Sequence, residues 1–337
     1  MAARRPPPVP RVLERVTATV RQYGMFIPGD HVLVAVSGGP DSTCLLHALY
    51  LLRRLLRIRL AVFHFDHRLR PDSGKDATYA RRQADRLKLP FHLRVALDRP
   101  ARGESVEAWA RAVRLGALAG VLRDAPATRA ALGHTVDDQA ETVLLALSRG
   151  GGLDAVAGIL PVEGPLVRPL IQVERKEVEA FVRALRLRPR TDPTNRDLRL
   201  PRNAVRHVVL PSMERAMGRE VRTALARSAS HLRRDADLLS RLAEEATREL
   251  LEEVPQGFEL PAAGLAALPT PLAGRVVRTG LLRAGALPTQ DHIEAVLDLA
   301  RGRPGRRRHL AEGLIAKRDK EYVRVARTSP GPASEDS

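Results

Sequence analysis

The sequence predicts an α/β fold, with a parallel twisted sheet and helices on both faces, followed by a helical linker and a small α+β domain. Three observations support this prediction. Short apolar runs alternate with amphipathic segments up to Gly150, which is typical of parallel strands joined by right-handed helical crossovers. Glycines directly follow the first apolar run. After Gly150 the alternation ends, and long helical periodicity begins at residue 219.

The first elements follow from local patterns. Segment 31–36 is mostly apolar and ends at glycines, which predicts a buried strand, and segment 41–57 carries leucines at helical spacing. The pattern then repeats, with strands predicted at 58–65, 91–96 and 129–133, and helices at 75–88, 104–122 and 137–149. Because ligands of open α/β sheets bind at the carboxyl ends of the strands, the loops after these strands are the expected site.

The second half reads differently. Three glycines at 150–152 and irregular Pro-containing sequence to residue 170 precede predicted helices at 174–187 and 202–217, with turn-forming residues at 191–195 between them. A long helix is predicted at 219–251, then helices near 271–284 and 290–301 within an α+β region. The predicted division is a basic N-terminal segment (1–24), a main α/β domain (25–217), a linker with a substrate-binding domain (218–327) and a disordered tail (328–337).

The charge of the chain favours a polyanionic partner. Lys and Arg number 56 against 39 Asp and Glu, a formal net charge of +17. Each phosphate that such a surface neutralises releases condensed counterions, which drives binding to nucleic acid. An Arg-rich surface without that role is the alternative. Aromatic residues make up only 3% of the chain, which argues against RNA binding on stacked aromatic platforms.

Composition also excludes several classes of protein. Cys44 is the only cysteine, so neither a disulfide within the chain nor a Cys-rich zinc site can form. No apolar run approaches the ~20 residues that a membrane-spanning helix needs, and residues 1–10 lack an apolar signal core. A cytoplasmic protein without a membrane partner is therefore expected.

A phosphate-binding loop is predicted between the first strand and the first helix. The loop consists of Ser37, Gly38, Gly39, Pro40, Asp41 and Ser42. Glycines let the backbone approach phosphate oxygens, and the helix start points N–H groups at them. No lysine follows the glycines, so this is not the lysine-containing ATPase loop. Asp41 at such a place indicates a metal ion that bridges carboxylate and phosphate. A capped helix after a glycine turn is the structural alternative.

A second constellation, residues 133–142, follows the fourth strand and therefore lies at the same edge of the sheet. Asp138 and Glu141 are one helical turn apart and share a face with His134. An N-capping aspartate beside a solvated glutamate is the structural alternative. Combined with the first loop, the acidic pair favours a functional site.

Two further segments carry candidate contacts. Segment 66–73 follows the second strand, and His64 lies at the end of that strand. His64 either touches a nucleotide base or RNA or is a histidine with satisfied hydrogen bonds at a strand end, and Arg68 and Arg70 are either RNA contacts or surface charges. Segment 202–207 places Arg202 and Arg206 four residues apart, on one face of a helix. Arginine binds phosphate or carboxylate in a rigid fork. A basic amphipathic helix is the structural alternative.

Together, these motifs resemble a known family. Segment 37–42 resembles the PP-loop of N-type ATP pyrophosphatases, which cut ATP between the α- and β-phosphates. The full set is similar to the tRNA(Ile)-lysidine synthetase family, and consists of the PP-loop, 67–73, Glu107 with Ala110 and Arg111, 133–142, 149–151 and 192–206. Segments 260–262, 267–269 and 313–318 resemble the substrate-binding module of that family. The chain is similar to a short form without the additional C-terminal domain of longer members.

The resemblance implies a Rossmann-like N-type ATP pyrophosphatase fold and a two-step reaction that uses ATP and Mg²⁺. The wobble cytidine of tRNA(Ile), in a CAU anticodon, attacks the α-phosphate through its C2 oxygen, and pyrophosphate leaves. The amine of free L-lysine then attacks C2, and AMP leaves. Phosphoryl-type transfer needs positioned donors and a metal rather than a covalent nucleophile, which agrees with the motifs.

The resemblance also implies roles for individual residues. ATP binding is expected at Ser37, Gly38, Gly39, Pro40, Asp41, Ser42, His64, Gly133 and His134, with Mg²⁺ on Asp41. Lysine binding is expected at Asp138, Glu141 and Arg111. Binding of tRNA is expected at Arg68, Arg70, Arg202, Asn203 and Arg206. Catalysis is expected at Asp41, Asp138 and Glu141, and which of the last two carboxylates acts as the general base stays open.

Two other functions are open alternatives. One is a thiolation-type tRNA-modifying enzyme on the same loop, but such enzymes use cysteine to carry sulfur, and Cys44 is alone on the predicted helix after the loop. The other is a non-catalytic basic RNA-binding protein that retains a nucleotide site. A homodimer through residues 219–251 is a further expectation that the sequence leaves open.

Overall fold

The structure is a computed structural model that describes residues 6–190, 197–310 and 313–327. The predicted turn at 191–195 and the predicted tail at 328–337 lie outside these residues. The chain forms two compact units, Met1–Leu232 and Arg233–Ser337. No helix within the described ranges is both long and apolar enough to cross a membrane.

The first unit contains a six-stranded sheet in the order β3-β2-β1-β4-β6-β5. Its strands are β1 (His31–Ala35), β2 (Arg59–Asp66), β3 (Phe91–Val95), β4 (Arg129–Ala131), β5 (Val162–Glu163) and β6 (Leu166–Val167). All neighbours pair in parallel except β5 and β6, which form an antiparallel hairpin at the edge. The predicted parallel sheet is confirmed. The hairpin was predicted only as irregular sequence, because strands of two residues carry no periodic signal.

The helices of the first unit lie before, between and after these strands. They are α1 (Pro8–Gln22), α2 (Pro40–Leu56), α3 (Gly74–Leu87), α4 (Val106–Asp124), α5 (Val136–Ser148), α6 (Leu153–Val156), α7 (Arg175–Ala184), α8 (Pro201–Ala204) and α9 (Leu210–Met217). A π-helical segment, Val205–Val209, joins α8 to α9. The 30-residue helix α10 (Val221–Leu250) follows.

Strand β1 shows that both faces of the sheet are covered. Val32 and Val34 are buried in one core cluster, together with residues of α1, α2 and α7. Leu33, which points to the opposite face, is buried in a second cluster with Trp109 and Leu118 of α4. This alternation agrees with the side-chain period of a strand that is buried on both faces.

Helix α1 lies within the segment predicted only as a basic N-terminal extension. Val9, Val12, Val16 and Val20 of this helix are at most 4% exposed and belong to the main core. The prolines at its start hide the helical pattern in the sequence. Proline is nevertheless tolerated in the first turn of a helix, where its missing N–H has no partner to lose.

The second unit is the predicted small α+β domain. Its strands are β7 (Glu252–Val254), β8 (Gly257–Pro261), β9 (Arg307–His309), β10 (Leu314–Arg318) and β11 (Tyr322–Arg327), in the antiparallel order β7-β8-β11-β10-β9. Its helices are α11 (Ala262–Ala267), α12 (Thr270–Arg283) and α13 (Gln290–Arg301). Phe258, Val276, Val296 and Val325 form the centre of its core.

Candidate active site

The loop between β1 and α2 folds back on the start of the helix. Gly38 has a φ of +97°, in the left-handed region that favours glycine. The backbone N–H of Ser37 donates to Ser42 Oγ (3.2 Å), and that hydroxyl donates to the carbonyl of Gly39 (3.1 Å). Pro40 begins the helix, at the position where proline is best tolerated. The loop thereby presents the N–H groups of a helix start to an anion.

Asp41 stands in the first turn of α2 with one oxygen unused. Its Oδ1 is buried and has no hydrogen-bond partner among the described residues, while Oδ2 lies 3.9 Å from Nη2 of Arg175. Burial raises the pKa of the Asp41 carboxyl to about 6, against the lowering effect of Arg175. If Asp41 held Mg²⁺, the protein would supply few of the metal ligands itself, because Mg²⁺ is commonly held by one or two carboxylates, substrate phosphates and water.

A single carboxylate with a buried, unpartnered oxygen, Asp41, fits a magnesium site of this kind. Nowhere in 6–190, 197–310 or 313–327 do three His, Cys, Asp or Glu side chains converge to form a complete metal site. A metal ion on Asp41 would therefore depend on the nucleotide for its other ligands. This is the arrangement expected where the ion and the triphosphate bind together.

The loop after β4 packs directly on the phosphate loop. A methyl group on Gly133 would come within 3.2 Å of the backbone of Asp41 and Ser42, so a side chain there would push the loops apart. Helix α5 begins immediately after this contact. The backbone N–H of Thr135 donates to Asp138 Oδ2 (2.8 Å) as part of a capping box, in which the Thr135 side chain faces the backbone N–H of Asp138. Thr135 Oγ1 also donates to Asp138 Oδ2 (2.9 Å). The two loops that the sequence places at one edge of the sheet are in contact.

Four charged side chains form a closed cluster beside these loops. Arg202 donates from Nη2 to Asp138 Oδ1 (2.9 Å) and from Nε to Glu141 Oε2 (2.8 Å). Arg206 donates from Nε and Nη2 to the two oxygens of Glu141 (2.5 Å and 2.9 Å) and lies 3.3 Å from Asp138 Oδ1. Asn203, between the arginines, donates to the carbonyl of Asp197 (3.0 Å). Two carboxylates and two guanidinium groups therefore neutralise one another.

The four charges of the cluster interact strongly because the carboxylates are buried and the guanidinium groups are half-buried. The Glu141 side chain has no exposed area, and that of Asp138 is 13% exposed. Burial would raise the pKa of Asp138, but Arg202, together with Arg206 and the hydrogen bond from the backbone of Thr135, holds it below its ordinary value. Asp138 is therefore ionised at neutral pH. The sequence assigned the acids to lysine and the arginines to tRNA, and the structure brings all four together.

The two histidines assigned to ATP lie near the same edge of the sheet. His64 is buried in β2 with Nδ1 2.7 Å from the carbonyl of Val36, so Nδ1–H is the donor. His134 lies between Gly133 and Thr135, and its Nδ1 is buried without a hydrogen-bond partner in the described part of the chain. Burial lowers the pKa of His134 to about 3. Its ring is therefore neutral at physiological pH.

The arginines of segment 66–73 have different environments. Arg68 is exposed and has a φ of +51°, and its backbone N–H donates to Asp66 Oδ1 (2.9 Å). Arg70 instead forms an ion pair with Asp76 (2.7 Å). Arg190 also pairs with Asp76, and its own backbone N–H donates to the carbonyl of Gly38 (2.9 Å). Arg70 thus belongs to a network that lies against the phosphate loop.

Sequence reasoning missed two arginines near Arg111, of which Arg114 is half-buried and Arg168 is buried. Arg114 lies three residues further along α4; burial, followed by the charges of Arg111 and Arg202, lowers its pKa. Arg168 is 1% exposed and donates to the Leu160 carbonyl (2.6 Å) and to Glu163 (2.8 Å). The spacing of Arg111 and Arg114 on one helix face was a usable signal. Arg168 follows a strand too short to recognise.

Two family profiles match the chain. The profile of the PP-loop domain matches residues 12–213, the part that contains the parallel sheet and the loops described above. The profile of the TilS substrate binding domain matches residues 260–324, within the antiparallel unit. Both matches agree with the folds observed in those ranges.

Similar proteins are found among bacteria. A tRNA(Ile)-lysidine synthase of Symbiobacterium thermophilum is 38% identical over 345 residues, which covers 96% of this chain and 71% of that protein. Another, from Mycolicibacterium paratuberculosis, is 40% identical and covers 84% of each chain. Among solved structures, a U34-tRNA thiolase from Methanococcus maripaludis aligns with a TM-score of 0.58 at 15% identity, over 67% of this chain and 78% of that one. The last likeness concerns the fold alone.

Proposed function

This chain belongs to the tRNA(Ile)-lysidine synthase family, and we propose that it joins L-lysine to the wobble cytidine of a tRNA(Ile) with a CAU anticodon. As a member of that family, it is an ATP-using ligase that modifies tRNA. The observation that carries the detailed proposal is the contact between the phosphate loop and the loop after β4. That contact places Asp41 beside the acidic helix α5.

The first step uses the phosphate loop. The C2 oxygen of the cytidine bonds to the α-phosphorus of ATP, and the bond to the bridging oxygen breaks, so that pyrophosphate leaves with the electron pair. The loop N–H groups and the hydroxyls of Ser37 and Ser42 would hold the phosphates. Asp41, with its unpartnered Oδ1, would hold Mg²⁺, which supplies positive charge to the phosphates. Gly133 and His134 complete the nucleotide side of the site.

The second step uses the acidic pair. The lysine amine attacks C2, the bond from C2 to the phosphate-bearing oxygen breaks, AMP leaves with the electron pair, and the attacking nitrogen passes a proton to Asp138 or Glu141. Asp138 and Glu141 would receive the amine, and Arg111 the carboxylate of lysine. Since Arg202 and Arg206 already neutralise both acids, a charged ammonium would enter without a free counter-charge. The lack of a free counter-charge favours a lysine amine that has lost its proton, which is the form that can attack.

Binding of tRNA would involve Arg68, Asn203 and the two arginines of the cluster, with Arg70 placed against the phosphate loop. Arg202 and Arg206 can reach the RNA only by sharing or leaving their carboxylate partners. We further propose that the protein works in the cytoplasm, where its tRNA substrate is found. A homodimer through residues 219–251 stays a prediction.

A thiolation-type enzyme is the weaker alternative. Its only support is the fold shared with the U34-tRNA thiolase at 15% identity. Cys44 is fully buried in α2, and burial raises the pKa of its thiol. A buried, protonated thiol is a poor sulfur carrier because the thiolate is the reactive species. The site therefore supports lysine ligation better.

The direct test is a single incubation. The protein is mixed with ATP, Mg²⁺, labelled lysine and a tRNA(Ile) transcript with a CAU anticodon, and AMP, pyrophosphate and labelled tRNA are measured. All three products are expected in equal amounts, and a transcript with uridine at the wobble position should give none. A protein that binds the tRNA but releases neither AMP nor pyrophosphate would be a non-catalytic RNA-binding protein.

Asp138→Asn separates the two steps. Asparagine can still accept the capping hydrogen bonds, so helix α5 should remain. We expect slow pyrophosphate release and accumulation of adenylated tRNA, with lysine incorporation reduced far more. Asp85→Asn, an exposed change on α3, is the matched control and should behave as the parent. Equal loss of both steps would assign Asp138 to the metal or the nucleotide instead of lysine.

A further inference from the structure

Arg175 is held between the starts of two helices. It is the first residue of α7, and its backbone N–H donates to Asp137 Oδ2 (2.9 Å). Asp137 Oδ1 lies 3.1 Å from Nε of Arg222. The main chain of Arg175 is thus fastened to the first turn of α5, and its side chain extends from there towards the phosphate loop.

The guanidinium group of Arg175 has spare hydrogen-bonding capacity. Its ion-pair contacts within the described residues are 3.9 Å to Asp41 and 3.6 Å to Glu179, both beyond hydrogen-bonding distance. Its side chain is only 28% exposed. In contrast, Arg202 and Arg206 each hydrogen-bond to carboxylate oxygens of the cluster. A partly buried arginine that hydrogen-bonds to no carboxylate has N–H donors available for an anionic ligand.

Arg175 also borders a cavity of about 330 Å³. The cavity is lined by Asp137, Arg175, Arg206, His207, Pro211 and Arg222. Arg206 and Arg222 already hydrogen-bond to the carboxylates of Glu141 and Glu214. Arg175 is therefore the lining arginine whose donors remain available to a ligand in this space. Its planar fork matches phosphate oxygens, and it lies 3.9 Å from Asp41 of the phosphate loop.

We propose that Arg175 binds the pyrophosphate that leaves ATP, and that the 330 Å³ cavity receives it. This inference rests on the proposed function, in which the bond between the α-phosphorus and the bridging oxygen breaks. The electron pair stays on that oxygen, so negative charge grows on the β-phosphate as the bond breaks. The guanidinium of Arg175, next to Asp41, supplies a positive charge where that charge develops. No proton transfer is required from Arg175.

Binding of inorganic pyrophosphate in the presence of Mg²⁺ tests the proposal directly. Arg175→Gln should weaken pyrophosphate binding, and raise the KM for ATP, by about ten- to a hundredfold, the effect of losing hydrogen bonds to a charged group. Arg175→Lys should fall between the parent and Arg175→Gln, since lysine keeps the charge without the fork. Affinity for AMP, which lacks the leaving phosphates, should not change.

Arg183→Gln is the matched control, because Arg183 lies on the same helix, is exposed and loses the same charge. It should bind pyrophosphate as the parent does. Parent-like pyrophosphate binding by Arg175→Gln would overturn the proposal, as would an increase confined to the KM for tRNA, which would indicate a phosphodiester ligand. If thermal melting shows that Arg175→Gln is unfolded, Arg175→Lys decides, and parent-like binding there overturns the proposal equally.

The pyrophosphate-binding measurement itself contains neither tRNA nor lysine, unlike the KM measurements. A protein that binds pyrophosphate through Arg175 but forms no lysine-modified tRNA would contradict the proposed function and leave the role of Arg175 standing. A protein that modifies tRNA but binds pyrophosphate independently of Arg175 would support the proposed function and contradict the role of Arg175. The two hypotheses can therefore fail separately.

Discussion

Asp41 combines a position suited to metal binding with an unfavourable environment for a carboxylate. Its Oδ1 is buried and lacks a hydrogen-bond partner among the described residues. Its pKa is raised to about 6 from 3.8, because burial outweighs the nearby Arg175. Groups with raised acid pKa values destabilise the folded state when they are ionised, and such strain is typical of functional sites. The pH dependence of the free energy of unfolding should therefore report the environment of the Asp41 carboxyl.

Asp41→Asn should abolish pyrophosphate release and raise the free energy of unfolding. The folded form holds the Asp41 proton up to about pH 6, so the parent loses stability as pH rises from 3.8 to 6 and keeps that loss above pH 6. Without Mg²⁺, the variant should be more stable by about 1–3 kcal/mol at pH 8 and by almost nothing at pH 4. Urea unfolding at both pH values measures this. A less stable variant at pH 8 would contradict the assigned environment.

At the scale of elements, the site depends on how closely two loops approach each other. The loop after β1 and the loop after β4 meet at Gly133, where no side chain could fit without movement. Further along, the π-helical segment Val205–Val209 carries Arg206. Such segments are often found at functional sites. The arginine-bearing helices and α5 are thereby joined through the charged cluster.

Gly133→Ala should separate the two loops. The added methyl group would lie 3.2 Å from the backbone of Asp41 and Ser42, and we expect a stability loss of about 1–3 kcal/mol. The KM for ATP should rise because the phosphate loop shifts. Gly116→Ala in α4 is the control, since nothing lies within 4 Å of the new methyl group. It should be neutral or stabilising by up to about 1 kcal/mol. Equal behaviour of the two variants would contradict the tight contact.

At the scale of the whole molecule, the net charge is +17. Some of the arginines that contribute to it have ion-pair partners, and others have none within the described residues. In the second unit a run of exposed arginines precedes and enters the edge strand β9, and comprises Arg301, Arg303, Arg306, Arg307 and Arg308. For the last four, no ion pair is found within the described residues. These side chains are available to phosphates, whereas Arg202 and Arg206 are already neutralised.

Affinity for tRNA should fall steeply with salt. The slope of log affinity against log salt should be roughly −0.7 to −0.9 for each phosphate neutralised. Arg307→Gln and Arg308→Gln should each reduce its magnitude by about that amount if they contact phosphate. Arg283→Gln, which loses an arginine paired with Glu253 in the same unit, is the control and should leave the slope unchanged. An unchanged slope in all three variants would place the RNA elsewhere.

Local patterns in the sequence were sufficient for the fold class and for the positions of the two loops. A strand, a glycine turn and a helix are each specified by neighbours within a few residues, so β1, Gly38 and α2 could be predicted together. Helix α1 escaped because its prolines hid the pattern, and the β5–β6 hairpin because its strands are too short. The family resemblance supplied expected roles for residues, but not their contacts.

Only the tertiary structure decided which charges meet. Glu141 pairs with Arg202 and Arg206, which lie 61 and 65 residues away along the chain, and Arg175 comes to within 3.9 Å of Asp41. Spacing within one helix cannot reveal such pairs, because they depend on how separate helices pack. Burial is likewise a property of packing, and it sets the pKa of Asp41 and of His134. The sequence determined which chemical groups the edge of the sheet carries, and the packing determined their partners and their charges.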